Sequence, residues 1–320
     1  MPSDVASNSQ LRTFKRCRRK YWLAFVRRLH PIRFPFTGPR QLGTRVHGAL
    51  QAYYDVTTDW AHGRDRAIAY LESLRDQELA KVEEGGDLGA ILKEHDLAVA
   101  MVEGYAAWAV EEGVDVGLTP VAAEQLVRTP SPVPGVDLMG KLDLVVRKES
   151  DGAEGFIDYK TVGDLQSPLK HLGMDEQFRM YALMQRLIAA SLGQSPVRFH
   201  IYRMLKKSKR TARAKPPFFA DYEVYISDPE LRAMWDRLFG ELTDLLDFER
   251  RIEAHPERHR SIAYPTPTRD CSWECDFYMV CPMFDDDRAD PEHVLVMNYE
   301  EGDPHAHYGD QLTSDPEPVE

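Results

Sequence analysis

The stretch "GFIDYKT", residues 155–161, decides how the chain is read, because it sets an acid and a lysine two positions apart inside a strand-like run. Side chains alternate across a β-strand, so Asp158 and Lys160 share one face, roughly 6.5 Å apart along it, while Ile157, Tyr159 and Thr161 take the other. An isolated D-x-K is ordinarily an ion pair on a solvated sheet face. Its surroundings decide whether this one is more.

Upstream, "VAAEQLVRT" (121–129) and "VDLMGKLDLVVRK" (136–148) alternate like strands around the turn "PSPVPG". Asp143 stands among Leu142, Leu144, Val145 and Val146, where a carboxylate is expensive unless it is paired or bound to a cation. Two such acids on neighbouring strands make an oxygen-rich site suited to Mg²⁺ or Mn²⁺. Downstream, a helix from about 175 to 190 carries Gln177 and Tyr181 four apart on one face, followed by strands near 197–205 and 220–226. A long amphipathic helix covers 228–254. The first third is mostly helical: a helix within 6–29 opened by capping Ser and Asn, a second over 41–56 carrying His47, and two more around 64–83 and 88–112.

Strands embedded among helices in this order predict an α+β fold with a short mixed sheet flanked by helices. The expected organisation is one domain over 1–302: a helical part to about 118, a catalytic core over 119–227, and a C-terminal helix with a cysteine segment over 228–284. The acidic, Pro-containing end, 303–320, is expected to be disordered.

A chain of 320 residues, 43% hydrophobic and 29% charged, can bury a substantial core. No apolar run approaches the roughly 20 residues that span a bilayer, and the N-terminus lacks an apolar signal segment, so no membrane partner and a cytoplasmic location are the default expectations. The net charge of −12 conceals a segregation. Residues 14–28 and 203–215 are densely basic, while much of the acid follows residue 284. Basic tracts interleaved with Phe14, Tyr21, Trp22 and Phe25 suit a nucleic-acid backbone, with Lys15, Arg18, Arg19, Lys206, Lys207, Lys209 and Arg210 as phosphate contacts; a solvated basic helix is the plainer alternative. Trp22, Tyr53, Tyr54 and Trp108 read as core rather than as platforms for bases.

Cys17, Cys271, Cys275 and Cys281 are too few for a disulfide scaffold. Three fall within eleven residues, a spacing that reads as metal ligands. On ligand count alone, [4Fe–4S] and Zn²⁺ fit equally.

In order along the chain stand His47 in "GTRVHGAL", the G-x-x-D of Gly140 to Asp143, the D-x-K of Asp158 to Lys160 and the Q-x-x-x-Y of Gln177 to Tyr181. Over residues 40–185 this order and spacing resemble the PD-(D/E)XK nuclease superfamily, and specifically its RecB-like branch, which includes CRISPR-associated RecB-like exonucleases and phage relatives. The resemblance implies a restriction-endonuclease-like core with a helical N-terminal insertion and a C-terminal cysteine-cluster segment. It implies a metal-dependent DNA nuclease, an exonuclease acting on DNA ends or single strands, in which Asp143 and Asp158 bind Mg²⁺ or Mn²⁺ with His47 and the Tyr159 carbonyl. Lys160 would orient or deprotonate the attacking water or neutralise developing charge, and Gln177 and Tyr181 would steady the lysine or the DNA. One cysteine before these motifs and three after them match members with an iron–sulfur cluster, which favours [4Fe–4S] over Zn²⁺ at Cys17, Cys271, Cys275 and Cys281. The rival from another class is a non-catalytic module that binds DNA ends or docks a recombination or CRISPR-adaptation partner. Glu124 is a further candidate, since relatives can carry an acid on the first strand, but an exposed strand glutamate is its ordinary reading.

Overall fold

The computed structural model describes residues 3–32, 36–57, 62–82, 87–191, 193, 197–209, 211 and 213–308. They group into two compact units, one formed by 1–34, 128–140 and 232–320 and the other by 35–127 and 141–231. In chain order the elements begin with β1 (Val5–Ser7), α1 (Asn8–Arg16), α2 (Arg18–Tyr21), β2 (Leu29–Pro31), α3 (Pro39–Tyr53), α4 (Gly63–Lys81) and α5 (Leu88–Glu111). Then come β3 (Leu118–Pro130), β4 (Asp137–Lys148), β5 (Glu154–Val162), α6 (Leu169–Leu172), α7 (Glu176–Ser191), β6 (Phe199–Lys206) and β7 (Phe219–Val224). The chain continues through α8 (Asp228–Ala254), α9 (His259–Ile262), α10 (Cys271–Glu274), α11 (Pro291–Asn298) and β8 (Tyr299–Glu301).

The 35–127/141–231 unit is built on β5. Its neighbours are β4, antiparallel, and β6, parallel; β7 then pairs antiparallel with β6, and β3 pairs with β4. This is the mixed, helix-flanked α+β sheet expected of a restriction-endonuclease-like core. Gly155 is required for the β5–β6 contact, because a Cβ there would meet the Phe199 carbonyl oxygen at 2.4 Å. The alternation read from the sequence holds. Ile157 and Tyr159 join a core with Val46 and Leu50 of α3, Leu71 of α4 and Val102 of α5, while Phe156, on the other face, packs at 5.0 Å on Phe178 of α7. Burying each large apolar side chain contributes roughly 1.5–3 kcal/mol, which fixes α3 on one face of β5 and α7 on the other. Asp87 opens α5 by accepting the Ala90 N–H at 2.9 Å, and Asp175 opens α7 by accepting that of Phe178 at 3.0 Å.

In the other unit the helix expected over 6–29 is interrupted. Ser7 caps α1 as predicted, accepting the Gln10 N–H at 3.2 Å. Cys17 then turns to an extended conformation, and its sulfur accepts the Lys20 N–H at 3.5 Å, starting α2 afresh. A π-helical turn, Trp22–Val26, follows. Met234, Leu238, Leu242, Leu245, Phe248 and Ile252, spaced three or four apart along α8, are buried. Phe248 meets Phe14 and Tyr21 edge-on at 5.5 and 5.7 Å. β1 pairs in parallel with the start of β4, and β2 pairs antiparallel with β8. A 3₁₀ turn, Ala306–Tyr308, ends the described chain; residues 309–320 of the acidic tail lie outside it.

Candidate functional site

β4 and β5 are paired from Arg147↔Glu154 to Leu144↔Ile157. The next residues along each strand are Asp143 and Asp158. Beyond this point the backbone N–H of Tyr159 is taken up by a side chain: it donates to Asp143 Oδ2 at 2.8 Å. α3 brings His47 to the same oxygen, Nδ1 lying 3.4 Å from it. His47 follows the fully buried Val46, so it stands at the edge of the apolar stripe and stays partly open to solvent.

Glu124 completes the group. One ligand atom each from His47, Glu124 and Asp143 lie within 4.8 Å of one another, the one such trio among the described residues. The sequence reading of Glu124 as an exposed strand residue is thereby corrected. It is half-buried, it forms an ion pair with Lys141, and its backbone has φ 51°, the left-handed region that a non-glycine residue adopts at a local cost. That backbone kink, which no residue pattern signals, turns its carboxylate to the site. One nitrogen and several carboxylate oxygens are a donor set that fits Mn²⁺ or Mg²⁺.

The Asp158 carboxylate is not a member of that trio. It faces Lys160, whose Nζ lies 3.0 Å from Oδ1 and 2.7 Å from Oδ2. Lys160 also donates to Gln177 Oε1 at 3.0 Å, and Gln177 Nε2 donates to the Tyr181 hydroxyl at 3.2 Å. The D-x-K pair and the Q-x-x-x-Y pair thus form one hydrogen-bonded chain across the α7 face of the sheet.

Electrostatics reflect crowded carboxylates. Burial pushes Asp158 up to about 6 against the pull of Lys160, with Asp143 adding to the rise. Burial also raises Glu124, and Asp143 raises it further. Asp143 itself is held below the usual carboxylate value, since His47, Lys160 and the Tyr159 N–H outweigh its burial. His47 and Lys160 are raised despite burial, His47 chiefly by Asp143 and Lys160 chiefly by Asp158. A divalent ion at the trio would take over the countercharge that a protonated His47 supplies.

All four cysteines line one cavity of about 240 Å³ in the other unit, with Arg19, Leu23, Pro265 and Phe277. Each sulfur has a donor: the backbone N–H of Lys20 for Cys17, of Thr268 for Cys271 at 3.3 Å and of Phe277 for Cys275, and the Arg19 guanidinium for Cys281 at 4.0 Å. Donors aimed at sulfur are the surroundings of thiolate ligands, so the donor set fits a metal group. Cys17 is the extended residue that interrupts the first helix.

The expected phosphate contacts fare unevenly. Arg19 departs from the expectation: it is buried, with two nitrogens on the Asp285 carboxylate at 2.8 and 2.9 Å, and it serves the cysteine cavity. Lys15 pairs with Glu241 at 2.9 Å, and Arg18 stacks on Phe14 at 3.9 Å. Lys206 and Lys207 are half-exposed and Lys209 is exposed; Arg210 lies outside the described residues. Lys207 follows the end of β6, its N–H on the Val162 carbonyl oxygen at 2.8 Å, two residues beyond Lys160 on the neighbouring strand.

A family model, the PD-(D/E)XK nuclease superfamily, matches residues 5–282. No curated protein matches the sequence. Similar solved structures include a presumptive exonuclease of Eubacterium rectale, 11% identical over 77% of this chain and 82% of that one, TM-score 0.47. Another is the alkaline exonuclease LHK-Exo of Laribacter hongkongensis, 14% identical over 66% and 97%, TM-score 0.27. LHK-Exo in complex with dAMP is similar at 16% identity over 66% and 97%, TM-score 0.27. No helix among the described residues is long and apolar enough to cross a membrane.

Proposed function

Since the chain belongs to the PD-(D/E)XK nuclease superfamily, we propose that it is a Mg²⁺- or Mn²⁺-dependent DNA exonuclease of the RecB-like branch, carrying a structural [4Fe–4S] cluster. The observation that carries this reading is the convergence of His47, Glu124 and Asp143 at the point where β4 and β5 part, with the Asp158–Lys160–Gln177 chain alongside.

His47, Glu124 and Asp143 would hold the ion, with Asp158 and the Tyr159 carbonyl able to complete its shell. When bound, it supplies Lewis acidity at the phosphate and a lowered pKa for an attached water. The chain's own groups do the rest. Lys160, held between Asp158 and Gln177, would orient the attacking water or stabilise charge developing on the phosphate. Gln177, itself held by Tyr181, fixes the direction of that ammonium. Lys207 and Lys209 would meet the phosphates of a strand leaving the site.

For the thiolates, the placement of one cysteine ahead of the nuclease motifs and three after them favours the cluster, and all four line one cavity.

End-labelled linear and closed circular DNA, single- and double-stranded, incubated with and without Mn²⁺, test the activity. Mononucleotide release from linear substrates only, dependent on the metal, is expected. A chain that binds DNA ends and cleaves nothing with any divalent ion would replace the nuclease with a binding module.

A further inference from the structure

We propose that Arg203, which touches neither the trio nor Lys160, is a positioning residue that sets the distance between His47 and Asp143; this rests on the metal-site reading above. Arg203 is fully buried on β6, directly across from Tyr159 in the β5–β6 register. Its Nε and Nη2 donate to the two oxygens of Asp221 on β7, at 2.8 and 2.7 Å. Its Nη1, whose two hydrogens are shared among three acceptors, lies 2.8 Å from Asp115, 2.6 Å from the Tyr105 hydroxyl of α5 and 3.2 Å from the Tyr54 hydroxyl, just past α3. The Tyr54 hydroxyl also donates to Asp115 at 2.6 Å.

Stability alone does not explain such a centre, since buried ion pairs are often matched or bettered by apolar residues of similar volume. A planar guanidinium with five directed donors does fix geometry, which apolar packing of α3 on β5 does not. The geometry it fixes leads to the site. Tyr54 stands seven residues after His47, two helical turns on, and therefore on the same side of the chain segment. Its ring stacks on Tyr159 at 6.2 Å, and the His47 ring meets Tyr159 edge-on at 6.3 Å. Tyr159 in turn holds Asp143 through its N–H. Arg203 thus anchors both the helix that presents His47 and the strand that holds Asp143, and ligand sites tolerate displacements of only about 0.5 Å.

The test measures Mn²⁺ affinity of the full chain by electron paramagnetic resonance, together with thermal stability. In the triple variant Arg203→Met, Asp115→Asn, Asp221→Asn no buried carboxylate loses its partner, and Mn²⁺ should bind about tenfold more weakly. Arg203→Lys, which keeps the charge and loses the fork, should fall between it and wild type. Leu71→Ala, a loss from the same core, should lower stability and leave Mn²⁺ affinity unchanged. Wild-type affinity in the folded triple variant, or equal weakening in Leu71→Ala, overturns the proposal. Should the triple variant not fold, Tyr54→Phe decides: it keeps the ring stack and removes one hydroxyl, and several-fold weaker binding supports the proposal while unchanged binding overturns it. Failure of the metal site itself is read separately, as Mn²⁺ binding by Asp143→Asn equal to wild type.

Discussion

The Asp143 carboxylate accepts the backbone N–H of Tyr159 at 2.8 Å where β4 and β5 part. A side chain replaces a ladder hydrogen bond, so strand separation and site assembly are one event. Asp143→Asn should keep the fold, since an amide oxygen can accept the same N–H. It should lose cleavage by at least about a hundredfold together with Mn²⁺ affinity. Unfolding curves run beside the cleavage assay separate loss of the site from loss of the fold.

Glu124→Gln should retain the strained backbone and remove one anionic ligand. Weaker Mn²⁺ binding by about tenfold is expected, with a smaller fall in rate at saturating metal. A metal titration of cleavage that coincides with wild type would show that Glu124 serves Lys141 alone.

His47 gives the site its one nitrogen donor. Imidazole suits Mn²⁺ better than Mg²⁺, so wild type should require less Mn²⁺ than Mg²⁺ for half-maximal cleavage, and His47→Gln should narrow the gap. Equal narrowing in a variant remote from the site would disprove this account of selectivity.

Cys275→Ser should remove the proposed cluster. Protein purified without oxygen is expected to be brown and to contain iron and sulfide; the variant should be colourless and unfold at a lower temperature. Colourless wild-type protein holding one zinc per chain contradicts the assignment.

His200 provides a pH signature unrelated to the site. Buried against Phe156 at 4.4 Å, it is pushed down to about 3 by burial. The unfolded chain takes up that proton near pH 6.5 and the folded chain does not, so the contribution of His200 to stability falls as pH drops from 6.5 towards 3. The loss is at most about 1.4 kcal/mol per pH unit, and His200→Phe should flatten it between pH 6.5 and 5 in denaturant titrations.

Much of this was legible in the sequence because it follows from period. Alternation in 155–161 gives the two faces of β5, and the four-residue step from Gln177 to Tyr181 gives their shared helix face. The Asp158–Lys160–Gln177 connection follows once those faces are known. What period does not encode was missed: the left-handed backbone at Glu124 that brings a third carboxylate to the site, and the break at Cys17 that interrupts a pattern otherwise helical from 8 to 26. Arg19 shows a further limit. Composition marks it as basic, but only tertiary packing reveals that Asp285 and the cysteine cavity claim it. The four groups gathered around Arg203, namely Tyr54, Tyr105, Asp115 and Asp221, are far from it in sequence and have no local signature.

The most direct test is diffraction at the manganese absorption edge from crystals of the wild-type chain grown with Mn²⁺. The account predicts an anomalous peak bound by His47 and Asp143, with Glu124 or Asp158 in its shell and the Lys160 ammonium nearby. Saturating Mn²⁺ with no peak between those side chains, or with a peak elsewhere only, would contradict it.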